Sequence, residues 1–493
     1  MKKNKVIIIG AGLGGLTAAC YLAKAGCEVT ILEKNSWVGG RIQTWKEQGF
    51  TIDMGPSWYW MPQVFEDFFA DFGTSVSDYY QLKRLNPSYR IYFKDEAVDL
   101  PADQDELCDL FERYETGAGN KLKRLLSETK RVYQIAMRSF IPKSYHSFFD
   151  VLTPSLFQEG FRILSTYNGF QSVESYLSSF FKHPKLIKML EFPIFFLGGS
   201  SSEIPAVYSI MNHVDMDQGT WYPIGGMAKV GSAFQKLAES LGVKIYLNEE
   251  VVSLPVHQSR ITQVVTTKQT CEADYVISNA DYPYTENTLL SPENQSYSPS
   301  YWEKRALAPS AFLVYLCLNK KVTRLLHHTL FFHTDWDAHN QNLFQKPKWP
   351  ENPLYYVSCP TKTDPTLAPK DQDILVILIP LAAGLEDNPS LRETYYNKVL
   401  RDLEDTTGEP IRDSIRAKKI YALNDFIQDF HAFKGNAYGL AQTLWQTALF
   451  RPSNRSKKIK NLSYTGQFTV PGIGLPMVVI SGKLAAHELL THL

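Results

Sequence analysis

The first forty residues alternate between apolar runs and segments rich in small residues. The run VIII at positions 6–9 has no polar interruption, which is typical of a parallel strand covered on both faces. The stretch TAACYLAKAG then predicts a helix, and EVTILEK predicts a second strand. The pattern therefore predicts a β-α-β unit at the start of the chain.

The rest of the chain divides into segments that differ in the spacing of their apolar residues. The segments 243–254 and 260–281 alternate like antiparallel strands, whereas 76–215 is mostly helical by pattern. Residues 295–450 mix strands such as SAFLVYLCL with helices such as SLRETYYNKVLRDLEDTTG, which should end at Gly408. The longest apolar run, ILVILIPLAAGL, is cut by Pro380 and predicts a buried strand followed by a turn. No run approaches the roughly 20 apolar residues of a spanning helix, so we expect no transmembrane segment.

Composition narrows the class of protein. The chain has 493 residues, of which 44% are apolar and 21% charged, and its formal net charge is zero. These values fit a soluble enzyme of two or three domains and give no sign of a nucleic-acid partner. The six cysteines are scattered without a C-x-x-C pair, which argues against zinc and against a disulfide framework. We therefore expect a reducing, cytoplasmic location.

The turn after the first strand allows two interpretations. Lys2, Lys3 and Lys5, followed by TAAC ending at Cys20, are also typical of a lipoprotein signal peptide. The alternative is the dinucleotide fingerprint G-x-G-x-x-G, in which the glycines permit a tight turn, a close approach to a pyrophosphate and close helix packing. In that interpretation the amides near the helix start face the phosphates. The residues of the fingerprint are Gly10, Gly12, Leu13, Gly14 and Gly15.

The residues that follow favour the dinucleotide site. Glu33 ends the second predicted strand 23 positions after Gly10, where an acidic residue accepts hydrogen bonds from ribose hydroxyls. Gly39, Gly40 and Arg41 come next, and a guanidinium beside two glycines can neutralise a pyrophosphate. We therefore expect Met1 to Gly26 to stay in the mature protein, with Cys20 unlipidated on a buried helix.

These motifs together resemble the FAD-binding flavoproteins of the glutathione-reductase and amine-oxidase type. DMGPSWYW at 53–60 is similar to the segment that runs beside the flavin ring in those proteins. The segments 204–245 and 451–486, which contain WYPIGGM and GQFTVPGIGLPM, resemble the phytoene-desaturase-like carotenoid desaturases. The resemblance implies an α/β fold: a Rossmann-like FAD-binding domain with an inserted α+β substrate domain.

The resemblance also implies a domain division and a cofactor site. Residues 1–75, 220–290 and 455–493 should form a composite FAD-binding domain, and 76–219 and 291–454 the substrate-binding domain. Val251 should contact the adenine, and Pro476 and Met477 should begin a helix aimed at the flavin. The expected FAD-binding residues are Gly10, Gly12, Leu13, Gly14, Gly15, Glu33, Lys34, Gly40, Arg41, Gly55, Pro56, Ser57, Val251, Gly466, Pro476 and Met477.

The function implied is FAD-dependent desaturation of a carotenoid, in which flavin N5 takes a hydride and a neighbouring carbon loses a proton. We expect 3,4-desaturation of a hydroxylated acyclic or monocyclic carotenoid. Phytoene or dehydrosqualene desaturation, cis-trans isomerisation and a non-enzymatic prenyl-lipid carrier remain alternatives, and an amine oxidase fits the WYPIGGM segment less well. Oxygen or a quinone is the expected electron acceptor, because no NAD site is evident in the sequence.

The substrate has almost no hydrogen-bonding groups, so an apolar tunnel and peripheral contact with a membrane are expected. The segment 133–164 is a candidate docking or tunnel element, and the basic run 455–460 a candidate for headgroup contact, although a buried helical pair and a solvated loop are the alternatives. The mixed aromatic and basic residues of the first segment are Arg138, Phe140, Lys143, Phe148, Phe149, Phe157 and Phe161.

Candidate catalytic residues are few. Asp150 matches a carboxylate considered as an acid or base in related desaturases, but those proteins carry an arginine where this chain has Phe149, and a helix-capping role is the alternative. His213 fits a structural role. Val470 replaces the histidine of the related G-A-G-T-H-P-G motif. We expect no metal at LHHTLFFH, because adjacent histidines on a strand point to opposite faces.

Overall fold

The amino-terminal β-α-β unit is the centre of a parallel sheet. The computed structural model describes residues 3–144, 154–167, 171–195 and 197–491. In it the first strand, β1 (Lys5–Ile9), pairs in parallel with a neighbour on each side. Its strands are brought together from the beginning, the middle and the end of the chain. In spatial order they are β21 (Leu462–Tyr464), β15 (Tyr275–Ser278), β1 (Lys5–Ile9), β2 (Glu28–Leu32) and β9 (Lys244–Tyr246).

Helix α1 (Leu13–Lys24) and helix α15 (Leu475–Leu490) pack tightly against each other beside this sheet. A Cβ atom on Gly482 would lie 2.3 Å from the carbonyl oxygen of Gly14, so the two helices touch backbone to backbone. Cys20 is completely buried in α1. Cleavage before Cys20 would therefore remove the middle strand of the sheet.

A second, mostly antiparallel sheet contains the long apolar runs of the chain. The run SAFLVYLCL is a strand with the bounds that its pattern predicted, and all nine of its residues are buried. The strand that contains Pro380 continues through the proline instead of ending at it, which corrects the predicted interruption. In spatial order the strands are β20 (Ile415–Tyr421), β16 (Ser310–Leu318), β19 (Asp373–Leu381), β18 (Tyr355–Ser358), β17 (His328–Phe331), β6 (Tyr89–Tyr92) and β7 (Ala97–Leu100).

Smaller sheets connect these two. The antiparallel pattern predicted after residue 243 is confirmed for β10 (Val251–Ser253), β13 (Gln263–Thr266) and β14 (Thr270–Glu272). The strands at its two ends, β9 and β15, instead pair in parallel, which corrects those parts of the prediction. The pairs are β3 (Gln43–Glu47) with β4 (Phe50–Met54), β5 (Leu82–Arg84) with β8 (Trp221–Pro223), β10 (Val251–Ser253) with β13 (Gln263–Thr266), β13 with β14 (Thr270–Glu272), and β11 (Val256–His257) with β12 (Arg260–Ile261).

Helices cover both sheets, and the helix predicted to end at Gly408 does so, with that glycine at φ +67°. None of the helices in the described part of the chain is both long and apolar enough to cross a bilayer. The remaining helices are α2 (Pro62–Ala70), α3 (Gln104–Tyr114), α4 (Ala118–Ile135), α5 (Pro154–Thr166), α6 (Val173–Phe180), α7 (Pro184–Phe195), α8 (Ile210–His213), α9 (Ala228–Ser240), α10 (Tyr282–Tyr284), α11 (Pro299–Glu303), α12 (Trp336–Asn340), α13 (Pro389–Thr407) and α14 (Leu423–Phe430).

Candidate active site

A cavity of about 250 Å³, here called the first cavity, lies at the carboxyl ends of β1, β2 and β15. Ligands of open parallel sheets bind at this edge. Most of the residues predicted to bind FAD line it, although they come from distant parts of the sequence. They are Gly10, Gly12, Leu13, Gly14, Glu33, Lys34, Gly40, Arg41, Gly55, Pro56, Val251 and Gly466.

The other predicted site residues lie elsewhere. Ser57, Pro476 and Met477 line a second cavity that adjoins the first. Gly15 lines neither cavity: a Cβ there would lie 2.3 Å from the carbonyl oxygen of Gly10, so this glycine serves close packing of α1 on the turn. Asp150 lies outside the described residues. The individual cofactor contacts remain predictions.

The glycine turn brings backbone to the edge of the first cavity. Gly10 has φ +95°, a conformation that favours glycine, and its N–H donates to the carbonyl of Leu32 at 2.8 Å. Helix α1 begins three residues later, at Leu13. The first N–H groups of a helix have no partner within it, and the positive end of its dipole favours an anion. The turn is therefore built to hold a phosphate.

Glu33 closes the same end of the cavity. One of its carboxylate oxygens accepts from the N–H of Ala11 at 2.7 Å and the other from the N–H of Asn35 at 2.8 Å. Burial raises its pKa above the ordinary value, while these two donors act in the opposite direction. Each carboxylate oxygen keeps a further lone pair. The side chain can therefore accept hydrogen bonds from two ribose hydroxyls.

Arg41 carries a positive charge into the first cavity. Its Nε is buried and has no hydrogen-bond partner among the described residues, while its guanidinium carbon lies 4.9 Å from the centre of the Phe430 ring. Burial lowers its pKa, and Asp281 acts against that effect. An unsatisfied buried donor is costly, so this side chain fits a ligand that brings an acceptor oxygen.

Two residues of the first cavity were missed by the sequence analysis. Asn279 and Asp281 directly follow β15 and line the cavity. Asp281 is buried with one oxygen unpartnered in the described structure, and burial raises its pKa to about 7 although Arg41 lowers it. The signal was available, because polar residues that follow a buried parallel strand lie at the ligand-binding edge.

The second cavity, of about 430 Å³, is apolar and aromatic over most of its wall. Elements that are far apart in sequence contribute to it, including Trp60, Ile163 and Pro193. Phe140 and Lys143, from the predicted docking segment, line it, as does Val470 at the position where relatives carry histidine. The residues shared with the first cavity, here called the junction, are Gly55, Pro56, Leu378, Tyr438, Gly474 and Leu475.

Helix α15 begins at the junction. Leu475 is its first residue, and Pro476 and Met477 in its first turn line the second cavity. The positive end of this helix therefore lies between the two cavities, where it would stabilise negative charge on a bound ring system.

Polar groups form two small clusters in the wall of the second cavity. In one, the Ser57 hydroxyl lies 2.9 Å from the Tyr356 hydroxyl, which lies 2.5 Å from Nδ1 of His328. In the other, the Tyr208 hydroxyl lies 2.7 Å from the Thr447 hydroxyl. The first cluster is the one beside the junction, because Ser57 follows Pro56 and Tyr356 pairs across the sheet with Leu378.

Three other histidines each lie beside a polar side chain. His327 bonds to Thr363 and His333 to Asp402, so the segment LHHTLFFH presents its three side chains to different neighbours. Nδ1 of His213 lies 2.8 Å from the Asp217 carboxylate but forms no hydrogen bond of acceptable geometry among the described residues, so its structural role stays a prediction. Among the residues that the structure describes, no group of three His, Cys, Asp or Glu side chains could hold a metal ion.

The first cavity fits FAD by its donor set. A glycine turn at a helix start, a buried carboxylate with spare acceptor capacity and a guanidinium whose Nε lacks a partner among the described residues match a pyrophosphate flanked by a ribose. The first cavity shares the junction residues with the apolar second cavity, so a cofactor that reached the junction would lie beside a space suited to an apolar substrate. The residues that would hold it are therefore those of the predicted set that line the first cavity or its junction.

Comparisons with known proteins agree with this geometry. The family model described as flavin containing amine oxidoreductase matches residues 13–490. The chain is 42% identical to a carotenoid 3,4-desaturase of Haloarcula japonica, over 98% of both chains. It is 31% identical to a zeta-carotene-forming phytoene desaturase of Myxococcus xanthus, over 99% of this chain and 94% of the relative. Cyclohexylamine oxidase from Brevibacterium oxydans has the same fold, with a TM-score of 0.61 at 14% identity over 100% of this chain and 99% of that one. The predicted fold class is thereby confirmed.

Proposed function

Because the chain belongs to the flavin-containing amine oxidoreductase family, we propose that it is an FAD-dependent carotenoid desaturase that introduces the 3,4 double bond of a hydroxylated acyclic or monocyclic carotenoid. The observation that carries this proposal is the apolar second cavity, which shares the six junction residues with the first. The resemblance to a desaturase of this position in Haloarcula japonica supports the choice of bond.

FAD is the cofactor and the chain is an oxidoreductase, as its family membership shows. When bound, FAD supplies the acceptor for a hydride. Within the proposal, Glu33 holds the ribose, the Gly10–Gly15 turn and Arg41 hold the pyrophosphate, and the start of α15 faces the ring. The protein then orients the substrate and excludes water.

The second cavity has the properties that a polyene requires. A carotenoid hydrocarbon chain is bound by apolar contact, and its position along the cavity decides which bond meets the junction. Trp58, Trp60 and Phe140 line the cavity and exclude water from this bond. A dry wall also prevents a developing positive charge on the polyene from being trapped by water.

We propose that the protein takes its substrate from a membrane. Moving about forty carbons through water would cost on the order of 30 kcal/mol, at about 0.8 kcal/mol per carbon, which exceeds the ceiling of noncovalent affinity. Exposed aromatic residues stand on two elements that also line the second cavity, α5 and the segment 444–450. Their exposed fractions are 66% for Phe157, 66% for Phe161, 68% for Trp445 and 51% for Phe450.

The basic run 455–460 offers less support for docking. Arg455 pairs with Glu488, Lys457 lies over the Tyr297 ring and Lys458 donates to the carbonyl of Glu293. We therefore assign the proposed docking surface to the four exposed aromatic residues. The proposed electron acceptor is oxygen or a quinone.

The experiment that tests the function supplies the FAD-loaded protein with carotenoids in liposomes. The substrates are acyclic and monocyclic carotenoids, each with and without a terminal hydroxyl. Longer conjugation, seen as a red shift and a mass loss of two hydrogens, is expected for the hydroxylated compounds. Desaturation of phytoene or dehydrosqualene alone would assign the alternative desaturases, and cis-to-trans conversion without mass change would assign an isomerase. Binding without any reaction would favour a prenyl-lipid carrier.

A further inference from the structure

Desaturation requires a proton acceptor as well as a hydride acceptor. Most of the described side chains of the second cavity are apolar, and the carboxylate predicted from the resemblance, Asp150, lies outside the described residues. The polar cluster of Ser57, Tyr356 and His328 is beside the junction, where the reacting carbons would lie. Resting on the proposed desaturation, we propose that Tyr356 accepts the substrate proton and that His328 accepts the proton of Tyr356.

The position of the cluster supports this role. Tyr356 lines the second cavity, and its cross-strand partner Leu378 is a junction residue. Ser57 is one residue from Pro56, which also belongs to the junction. Since a residue spans at most about 3.6 Å along the chain, the Ser57 hydroxyl stays close to the point where the cavities meet.

His328 is suited to take a proton through Tyr356. It is completely buried, and burial lowers its pKa well below the ordinary value, so the imidazole is neutral at rest. Its Nδ1 lies 2.5 Å from the Tyr356 hydroxyl, and its Nε2 has no hydrogen-bond partner in the described part of the chain. The tautomer with a proton on Nε2 leaves Nδ1 free to accept from Tyr356.

Burial and the neighbouring His327 disfavour the charged form of His328, and Trp58 acts against them. The indole ring of Trp58 stacks on the imidazole with centroids 4.0 Å apart and planes 11° from parallel. A cation over the face of a tryptophan is stabilised by the ring quadrupole. The acid in this step is a polyene cation, which gives up its proton far more readily than a neutral hydrocarbon. A weak base within hydrogen-bond reach is therefore sufficient.

The step balances as follows. One C–H bond would break with its electron pair, which bound FAD would accept as a hydride, so the substrate would be oxidised and FAD reduced. The C–H bond on the neighbouring carbon then breaks, and its electron pair forms the new double bond. The proton passes to the Tyr356 oxygen as the hydroxyl proton of Tyr356 passes to Nδ1 of His328. Ser57 is a positioning residue, since its hydroxyl bonds to that of Tyr356.

The test compares Tyr356→Phe with Tyr355→Phe, a matched control on the same strand. The Tyr355 hydroxyl donates to Asp402, and Tyr355 does not line the second cavity. Because general base catalysis contributes about 100-fold or more, kcat of Tyr356→Phe should fall about 100-fold, with KM unchanged within roughly twofold. Deuterium at the carbon that loses the proton should then slow the variant more than the wild type. FAD content and the thermal unfolding midpoint establish that each variant is folded.

A second variant separates proton transfer from hydrogen bonding. The side chain of His328→Asn can still accept a hydrogen bond from Tyr356 but cannot take up its proton. We expect its kcat to fall as far as that of Tyr356→Phe, whereas a purely positioning histidine would be replaced by asparagine with little loss.

Four results would overturn the relay. If kcat of Tyr356→Phe equals that of the wild type, the relay is wrong, while the proposed function is unaffected. A raised KM with unchanged kcat would make Tyr356 a substrate-binding group instead. If the wild type adds no double bond to any carotenoid, the proposed function fails and the relay fails with it. Binding of carotenoid to the reduced holoenzyme, followed by its absorption shift, should be equal in wild type and Tyr356→Phe, and a loss of binding would count against the relay.

Discussion

At the scale of single residues, Glu33 carries the largest share of the specific cofactor recognition that we propose. Glu33→Gln keeps the size of the side chain but loses its charge and one acceptor oxygen, and the N–H groups of Ala11 and Asn35 compete for the other. Hydrogen bonds to charged groups contribute about 1.5–3 kcal/mol, so the dissociation constant of FAD should rise about 10- to 100-fold. Flavin fluorescence during titration of the deflavinated protein measures it.

Glu28→Gln is the control for this prediction. Glu28 lies at the exposed end of the same strand and pairs with Lys244. An equal loss of FAD affinity in both variants would show that the carboxylate of Glu33 makes no specific contact.

The burial of Asp215 leads us to expect that the stability of the protein depends on pH. Asp215 is buried, it accepts from the Tyr89 hydroxyl at 2.7 Å, and burial raises its pKa to about 7. The unfolded carboxyl titrates near pH ~3.9. Between these values the folded protein holds the extra proton, so the free energy of unfolding falls as pH rises through this window. Asp215→Asn removes that fall. When the pH is raised from roughly 5 to roughly 8, the unfolding midpoint of the variant should therefore rise by a few degrees relative to that of the wild type.

Asp109→Asn, an exposed substitution on α3, is the matched control. Thermal unfolding of the three proteins at both pH values gives the comparison. A gain of the same size in Asp109→Asn would mean that the slope does not come from Asp215.

At the scale of elements, the contact between α1 and α15 joins the glycine turn to the helix that begins at the junction. In Gly482→Ala the new methyl group would lie 2.3 Å from the Gly14 carbonyl oxygen and 2.7 Å from Cβ of Thr17. The helices must separate, which typically costs about 1–3 kcal/mol. We expect the unfolding midpoint to fall by a few degrees and FAD to be released more readily, as measured by circular dichroism and by flavin retention on gel filtration.

Gly160→Ala is the matched helical control. Among the residues that the structure describes, its Cβ would meet Phe140 alone, at 3.8 Å, which is an ordinary contact. Alanine also has the higher helix propensity, so α5 should be unharmed. Similar losses in the two variants would locate the effect in helix composition instead of in the crossing of α1 and α15.

Elements with a strong local signal could be predicted from the sequence. The strand β1, the glycine turn and β2 follow from apolar runs and spacing, and α13 from its period and Gly408. Pro380 was misjudged because its tolerance depends on pairing. At that position β19 pairs with β16, whereas its pairing with β18 ends at Leu378. Proline is tolerated where a strand has a free edge, and no local pattern reveals that edge.

The candidate site was predictable only in part for the same reason. The fingerprint, Glu33 and Arg41 are close in sequence, and their spacing has a physical meaning. Ser57, Tyr356 and His328 come from separate segments and meet only when the second sheet has formed. The adjacent histidines were considered only as metal ligands. The hydrogen bond between His328 and Tyr356 could not be predicted, because the sequence does not show which strand lies beside which.

At the scale of the whole molecule, the exposed aromatic residues predict membrane binding. Replacing Trp445 and Phe450 together by serine should weaken binding to liposomes at least about tenfold, since each buried CH₂ contributes about 0.8 kcal/mol. The measurement is co-sedimentation with vesicles, which does not depend on enzymatic turnover. Replacing Phe157 and Phe161 should have a similar effect.

Tyr246→Ser is the control for docking. Tyr246 is 44% exposed on β9, the outer strand of the parallel sheet. If vesicle binding declined equally in this variant, general surface hydrophobicity would explain it. Unchanged binding in both aromatic double variants would remove the proposed docking surface.

The order of the parallel sheet also governs how the protein is made. β1 leaves the ribosome well before its partners, because β15 and β21 follow hundreds of residues later, and α15 is the final helix of the described chain. Contacts this distant in sequence form slowly, and the unpaired strand waits as an exposed edge that attracts other chains. The turn proposed to hold the pyrophosphate thus contacts β2 and Glu33 early, but it gains Asn279 and α15 only after hundreds more residues, so we expect FAD to bind after α15 has been synthesised.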